Sequence, residues 1–224
     1  MESFRLVVFD CDGTLVDSQR TIIGAMSSSF MQLGLASPTN DEIRRVVGLS
    51  LHDSIVRLHP SGTDVEHEEL ISGYRSAFFK MRSAPDHEEP LYPGVVAILD
   101  HIEREGILAG VATGKSLRGL QATLACHAIQ DRFITLQTAD KNPGKPHPKM
   151  VQRAMAEAGV EPQNTMVVGD TTYDIEMGRA AGAYAVGVSW GYHPVDELHA
   201  VGAHAVIDEF QELSGLLSRF MARE

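Results

Sequence analysis

Cysteine is nearly absent: Cys11 and Cys126 are the only two in 224 residues. Two thiols cannot form a disulfide framework, and their scarcity suits a reducing, cytoplasmic setting. Positive charge is also short, with 19 Lys and Arg against 30 Asp and Glu and a formal net charge of −11. A carboxylate surplus of that size argues against a face for a nucleic-acid backbone. No apolar run approaches the roughly 20 residues of a membrane span. The opening Met1-Glu2-Ser3 carries no basic region and no long apolar stretch comes after it, so no signal peptide is expected. The ten histidines are scattered without a pair at metal-ligand spacing, which argues against zinc. What the chain does have is a 43% hydrophobic fraction, ample for a buried core, and a length that suits one large domain or one domain with a small partner.

Phe4 to Phe9 is a short apolar run closed by acidic residues and glycine, which predicts a buried strand. A helix comes next, capped by Asp17 or Ser18, with Ile22, Ile23, Met26, Phe30 and Leu33 on one face and Gly34 as its stop. From there to about Arg82 the pattern is helical throughout: Thr39 or Asn40 to Val47, Leu51 to Leu58, and Val65 to Met81. Three prolines and several acids make Ser83 to Pro93 a linker.

Beyond Pro93, helices alternate with short, nearly continuous apolar strands at Ile107–Ala112, Phe133–Leu136, Thr165–Val168, Tyr184–Val188 and Ala205–Ile207. That alternation predicts an α/β fold, a Rossmann-like parallel sheet covered by helices on both faces. The helical stretch interrupts it after the first strand. The expected organisation is therefore a core of residues 1–17 and 89–224 and an all-helical domain of residues 18–88 inserted into it.

Ligands of parallel sheets bind beyond the carboxyl ends of the strands. The polar residues placed there are Asp10 and Asp12 with Gly13-Thr14, then Thr113, Gly114 and Lys115, then Asp170 and Asp174, with Lys145 within reach on a Gly-Lys-Pro-His-Pro loop. Several carboxylates converging on one edge are costly without a compensating cation. Carboxylate oxygens are the usual protein ligands of Mg²⁺, whose spare charge, with that of Lys145, attracts a phosphate. Lys115 reads as a surface charge, and Cys11 as a small buried apolar residue.

These residues also resemble a family. Asp10-Cys11-Asp12-Gly13-Thr14-Leu15-Val16-Asp17-Ser18 is similar to the first signature of the haloacid dehalogenase superfamily of phosphohydrolases. Thr113-Gly114, Lys145-Pro146 and Gly169-Asp170-Thr171-Thr172-Tyr173-Asp174 resemble its second, third and fourth motifs, in family order. The resemblance implies that Asp10 is a nucleophile forming an aspartyl phosphate and that Asp12 is the general acid and base. It implies Mg²⁺ held by Asp10, the backbone carbonyl of Asp12, and Asp170, with Asp174 in support. Thr113 and the Gly114 amide would bind phosphoryl oxygens, and Lys145 would neutralise charge on Asp10 and the transferring group.

The family's branches are separated by single residues. Asp12 argues against a dehalogenase, which lacks that acid. Leu51 stands where a β-phosphoglucomutase-like enzyme carries an arginine, and Lys80, the only lysine in the inserted helices, does not fit a Schiff-base hydrolase. The remaining reading is a phosphatase acting on a small phosphorylated metabolite, similar to the phosphoglycolate phosphatase branch, as a monomer or homodimer with no nucleic-acid or membrane partner. Alternatives are the mutase-like phosphotransferase and a non-catalytic Mg²⁺- and phosphoryl-binding signalling module. Arg44, Arg45, Arg57 and Lys80 could attract a substrate anion, but each also fits a surface charge on an amphipathic helix.

Overall fold

In the computed structural model, which describes residues 5–221, six strands form one parallel sheet in the order β3-β2-β1-β4-β5-β6. The strands are β1 (Leu6–Phe9), β2 (Leu108–Thr113), β3 (Thr135–Thr138), β4 (Thr165–Gly169), β5 (Tyr184–Val188) and β6 (Ala205–Ile207). Phe4 and Met1-Glu2-Ser3 lie outside the described residues. Strand alternation divides the core: Val7, Phe9, Val111 and Val168 point into one apolar cluster, and Leu6, Val8, Ala112 and Val167 into another on the opposite face. Helices α5 (Val95–Arg104) and α10 (Phe210–Met221) cover the first, and α7 (Lys149–Ala158) covers the second. Both faces are thus dry, the condition a short parallel sheet needs. Phe9 is fully buried at the centre, so its truncation to alanine would cost about 3–5 kcal/mol.

Between β1 and α5 stand four helices: α1 (Gln19–Gln32), α2 (Asn40–Arg44), α3 (Leu51–Leu58) and α4 (Asp64–Arg82). Ile22, Met26, Phe30, Ile43, Ile55, Leu70 and Ile71 close on one another in an apolar cluster distinct from those flanking the sheet. Thr39 and Thr63 open α2 and α4 with reciprocal capping boxes to Glu42 and Glu66.

The structure corrects several boundaries. The third strand runs over Thr135–Thr138 rather than Phe133–Leu136. The apolar run is misleading there, because Ile134 faces outward while Thr135 and Gln137 are buried and donate to Glu157. Helix α2 ends at Arg44, short of Val47, where the chain turns towards Gly48. Ser18 occupies the N-cap position of α1 without capping it, and Asp17 Oδ1 accepts from the Gln19 amide at 3.3 Å. The remaining helices are α6 (Leu117–Cys126), α8 (Thr172–Ala180) and α9 (Val195–Ala200). No helix among the described residues is long and apolar enough to cross a membrane.

Candidate active site

The three central strands β2, β1 and β4 run in one direction with Phe9 level with both Val111 and Val168. Residues immediately after these strands therefore emerge side by side at one edge. The chain places β2 and β3 on one side of β1 and β4 to β6 on the other, so that edge is the crevice where parallel α/β sheets bind ligands. The Asp10 amide donates to the Val168 carbonyl at 2.9 Å, extending the β1–β4 ladder to the first carboxylate.

Asp10, Asp170 and Asp174 are all buried, and each offers an oxygen within 4.8 Å of the other two. Lys145 reaches them from its loop, with Nζ 2.7 Å from Asp10 Oδ1 and 2.6 Å from Asp174 Oδ1. The two Asp170 oxygens accept from Thr14 Oγ1 at 2.8 Å and from the Tyr192 amide at 2.9 Å. Asp174 Oδ2 accepts from Thr171 Oγ1 at 2.6 Å, closing a capping box at the start of α8. Asp10 Oδ2 is buried and, among the described residues, accepts from none.

Of the three buried carboxylates, Asp10 and Asp174 share one ammonium, that of Lys145. Burial pushes Asp10 up to about 7, with Asp174 and Asp12 adding to the rise and Lys145 opposing it. Asp170 is raised well above its ordinary range, by burial and then by Asp10 and Asp174. Burial works against the charge on Lys145, but Asp10 and Asp174 outweigh it and hold the ammonium above its usual value. An oxygen-only cluster short of positive charge, with one orphaned oxygen, suits a hard divalent cation such as Mg²⁺.

Asp12 belongs to a different constellation. Its carboxylate is absent from the three-oxygen cluster, and its Oδ1 meets Lys115 Nζ at 2.8 Å and the Ser18 hydroxyl. Lys115 is therefore not a surface charge: its side chain is 9% exposed and its ammonium lies 5.2 Å from the centroid of the Phe78 ring on α4. Ser18 fails to cap α1 because its hydroxyl is turned to Asp12. Thr113 is buried, with its hydroxyl accepting from the Lys115 amide at 3.3 Å. Gly114 touches the inserted helices, since a Cβ there would stand 2.4 Å from the Leu49 carbonyl oxygen. Cys11 is fully buried in the sheet's core cluster, as its place in the strand alternation predicts.

Sequence reasoning missed the segment after β5. Ser189-Trp190-Gly191-Tyr192-His193 folds over Asp170, and a Cβ on Gly191 would fall 2.1 Å from that of Asp170. Trp190 Nε1 donates to the Thr14 carbonyl at 3.2 Å, and the Thr172 amide donates to His193 Nδ1 at 3.1 Å. The strand-end rule that located the other clusters applies equally to β5, and it would have found these residues. Two arginines of the inserted helices are engaged elsewhere, Arg44 with Asp41 and Gln19 and Arg45 with Glu197 of α9, whereas Arg57 and Lys80 are exposed.

A sheet edge that gathers a carboxylate cluster, a buried lysine and a strand-end threonine fits a hydrolase of the phosphatase kind. The chain belongs to the haloacid dehalogenase-like hydrolases, whose family model matches residues 7–188. It is 34% identical over 214 residues to a protein of Dickeya dadantii (strain 3937) named "Probable phosphatase IndB", covering 94% of this chain and 92% of that one. It is 30% identical over 212 residues to a phosphoglycolate phosphatase of Pseudomonas putida, covering 93% and 78%. Among solved structures, a hydrolase from Pseudomonas syringae superposes with a TM-score of 0.85 at 24% identity, covering 97% of this chain and 99% of that one, a likeness of fold.

Proposed function

We propose that the protein is a Mg²⁺-dependent phosphatase that hydrolyses a small phosphate monoester through an aspartyl phosphate on Asp10. The observation that carries this reading is the buried cluster of Asp10, Asp170 and Asp174, with Lys145 paired to Asp10 and Asp174 and, among the described residues, one Asp10 oxygen left without a partner. Mg²⁺ would be held by Asp10, the Asp12 carbonyl and Asp170, supported by Asp174, and when bound it supplies positive charge against the phosphoryl oxygens.

Asp10 attacks phosphorus as a carboxylate, forming an oxygen–phosphorus bond while the ester oxygen leaves with a proton from Asp12. Asp12, now ionised, takes a proton from water as that water attacks the phosphoenzyme. The Asp10–phosphorus bond breaks, inorganic phosphate departs, and Asp12 again holds its proton. Thr113 and the Gly114 amide hold phosphoryl oxygens, and Lys145 offsets charge on Asp10 and on the group in transfer.

Residues 18–88 act as a cap that covers this chemistry and excludes water. The close approach of Leu49 to Gly114 supports that role. The first substrate candidate is 2-phosphoglycolate, in keeping with the name of the Pseudomonas putida relative. The protein works in the cytoplasm as a monomer or homodimer.

The test is phosphate release from a panel of 2-phosphoglycolate, sugar phosphates, nucleotides and pyrophosphate, with Mg²⁺ and again with EDTA. Release that requires Mg²⁺ and favours a small monoester is expected. Metal-independent release, or none from any member of the panel, would contradict the proposal.

A further inference from the structure

The site contains two lysines, and only one of them faces the metal cluster. Lys145 is fully enclosed between Asp10 and Asp174. Lys115 lies on the side of Asp12, which in the phosphatase mechanism is the side where the ester oxygen leaves. Its side chain is nine-tenths buried, and among the described residues its ammonium meets one oxygen, Asp12 Oδ1, and one ring, that of Phe78. An ammonium carries three donors. A single carboxylate oxygen and an aromatic face leave donors free in a place that water reaches poorly.

Other cations of the inserted helices are not placed to serve this side. Arg44 is bound to Asp41 and Gln19. Arg45 reaches out to Glu197 on α9. Arg82 donates to Thr123 of α6 at 3.1 Å and lies 3.6 Å from Glu89. Arg20, Arg57, Arg75 and Lys80 are exposed. What the helices do present is a wall: Phe78 over Lys115, with the Tyr74 ring stacked against Phe78 at 5.6 Å.

We propose that Lys115 selects the leaving group, using the donors Asp12 leaves free to bind a carboxylate attached directly to the ester carbon. This rests on the phosphatase reading and names its substrate class as phosphoryl esters of small 2-hydroxy acids. A carboxylate is the partner of choice because a charge-assisted hydrogen bond is about twice as strong as a neutral one, and the aromatic wall keeps competing water away. The wall also limits size, since a bulky alcohol would have to displace Phe78.

The experiment compares two esters of nearly equal size, 2-phosphoglycolate and 2-hydroxyethyl phosphate, on the wild type, Lys115→Met and Lys115→Arg, each with Mg²⁺. The wild type is expected to prefer phosphoglycolate. Lys115→Met should lower kcat/KM for phosphoglycolate about 10- to 100-fold more than for the hydroxyethyl ester, with the difference residing in KM. Lys115→Arg should retain part of the preference. An equal fall for both esters would mean that Lys115 only steadies Asp12, and would overturn the proposal. If the wild type hydrolyses neither ester but does hydrolyse others, the substrate class is wrong while the phosphatase reading stands. If it hydrolyses nothing, the phosphatase reading fails, and calorimetry decides the binding claim. Phosphoglycolate should then bind Asp10→Asn more tightly than the Asp10→Asn, Lys115→Met double variant, and equal affinity overturns the proposal.

Discussion

The two halves of the site are built on opposite principles. The half around Asp10, Asp170, Asp174 and Lys145 is fixed by the sheet: its acids come directly after adjacent parallel strands or start the helix after one, and all are buried. It is short of positive charge, as the upward displacement of Asp10 and Asp170 records. The half around Asp12 pairs that carboxylate with Lys115, on which buried Glu89 also acts, and is assembled across elements by Ser18 at the start of α1, Phe78 on α4 and Lys115 after β2. The charge-deficient half suits a cation. The half facing the helices is where the proposed mechanism puts the variable part of a substrate.

That contrast predicts a graded response to substitution. The largest effect is expected at Asp10→Asn, which removes the proposed nucleophile and should lower turnover by at least about 10⁴-fold. Stability should move the other way. Burial raises Asp10 to about 7 from an ordinary 3.8, so above pH 7 its ionised form costs folding free energy that the amide does not. Melting in EDTA at pH 8 should therefore leave the variant as stable as the wild type or more so, and a marked loss would break the charge-deficiency account.

Asp12→Asn is expected to cost about 10²- to 10⁴-fold in turnover of an alkyl phosphate while the fold survives. Unchanged turnover would merge the two halves into one.

A smaller effect separates them without mutation. Saturating Mg²⁺, at about 100 times its dissociation constant, contributes about 2.7 kcal/mol, which for a chain of this size is about 5–10 °C in Tm. The sign with pH is set by Asp10. The unfolded carboxyl is ionised above about 4, whereas the buried one keeps its proton until about 7, so the metal-free fold loses this contribution as pH rises towards 7. The Mg²⁺-induced rise in Tm should accordingly be larger at pH 8 than at pH 6. Scanning calorimetry checks it, and an equal rise at both would detach Asp10 from the cation.

The sheet half was legible in the sequence because consecutive residues encode it. Each acid comes after an apolar run, and a parallel strand delivers the residues at its carboxyl end to one edge of the sheet. The inserted helices were legible as periodicity, since Ile22, Met26 and Phe30 mark a face whatever it packs against. The other half was not, for a physical reason. Lys115 looks like any polar residue before a helix until Asp12 and Phe78, far away in sequence, enclose it. Ser18 has the composition of a cap, and only the structure shows its hydroxyl turned to Asp12. The third strand was misplaced because Thr135 and Gln137 are buried polar groups satisfied by Glu157, and no hydropathy pattern signals that.

The central claim is a phosphoryl group carried covalently by Asp10. The direct measurement is rapid acid quenching of Asp12→Asn after mixing with an aryl phosphate and Mg²⁺, and then mass spectrometry of the peptide that contains both positions. An aryl ester leaves without help from an acid, so the phosphoenzyme should form, and without Asp12 to activate water it should accumulate on Asp10. Turnover of the aryl ester with an unmodified Asp10, or with the phosphoryl group on another residue, would contradict the account.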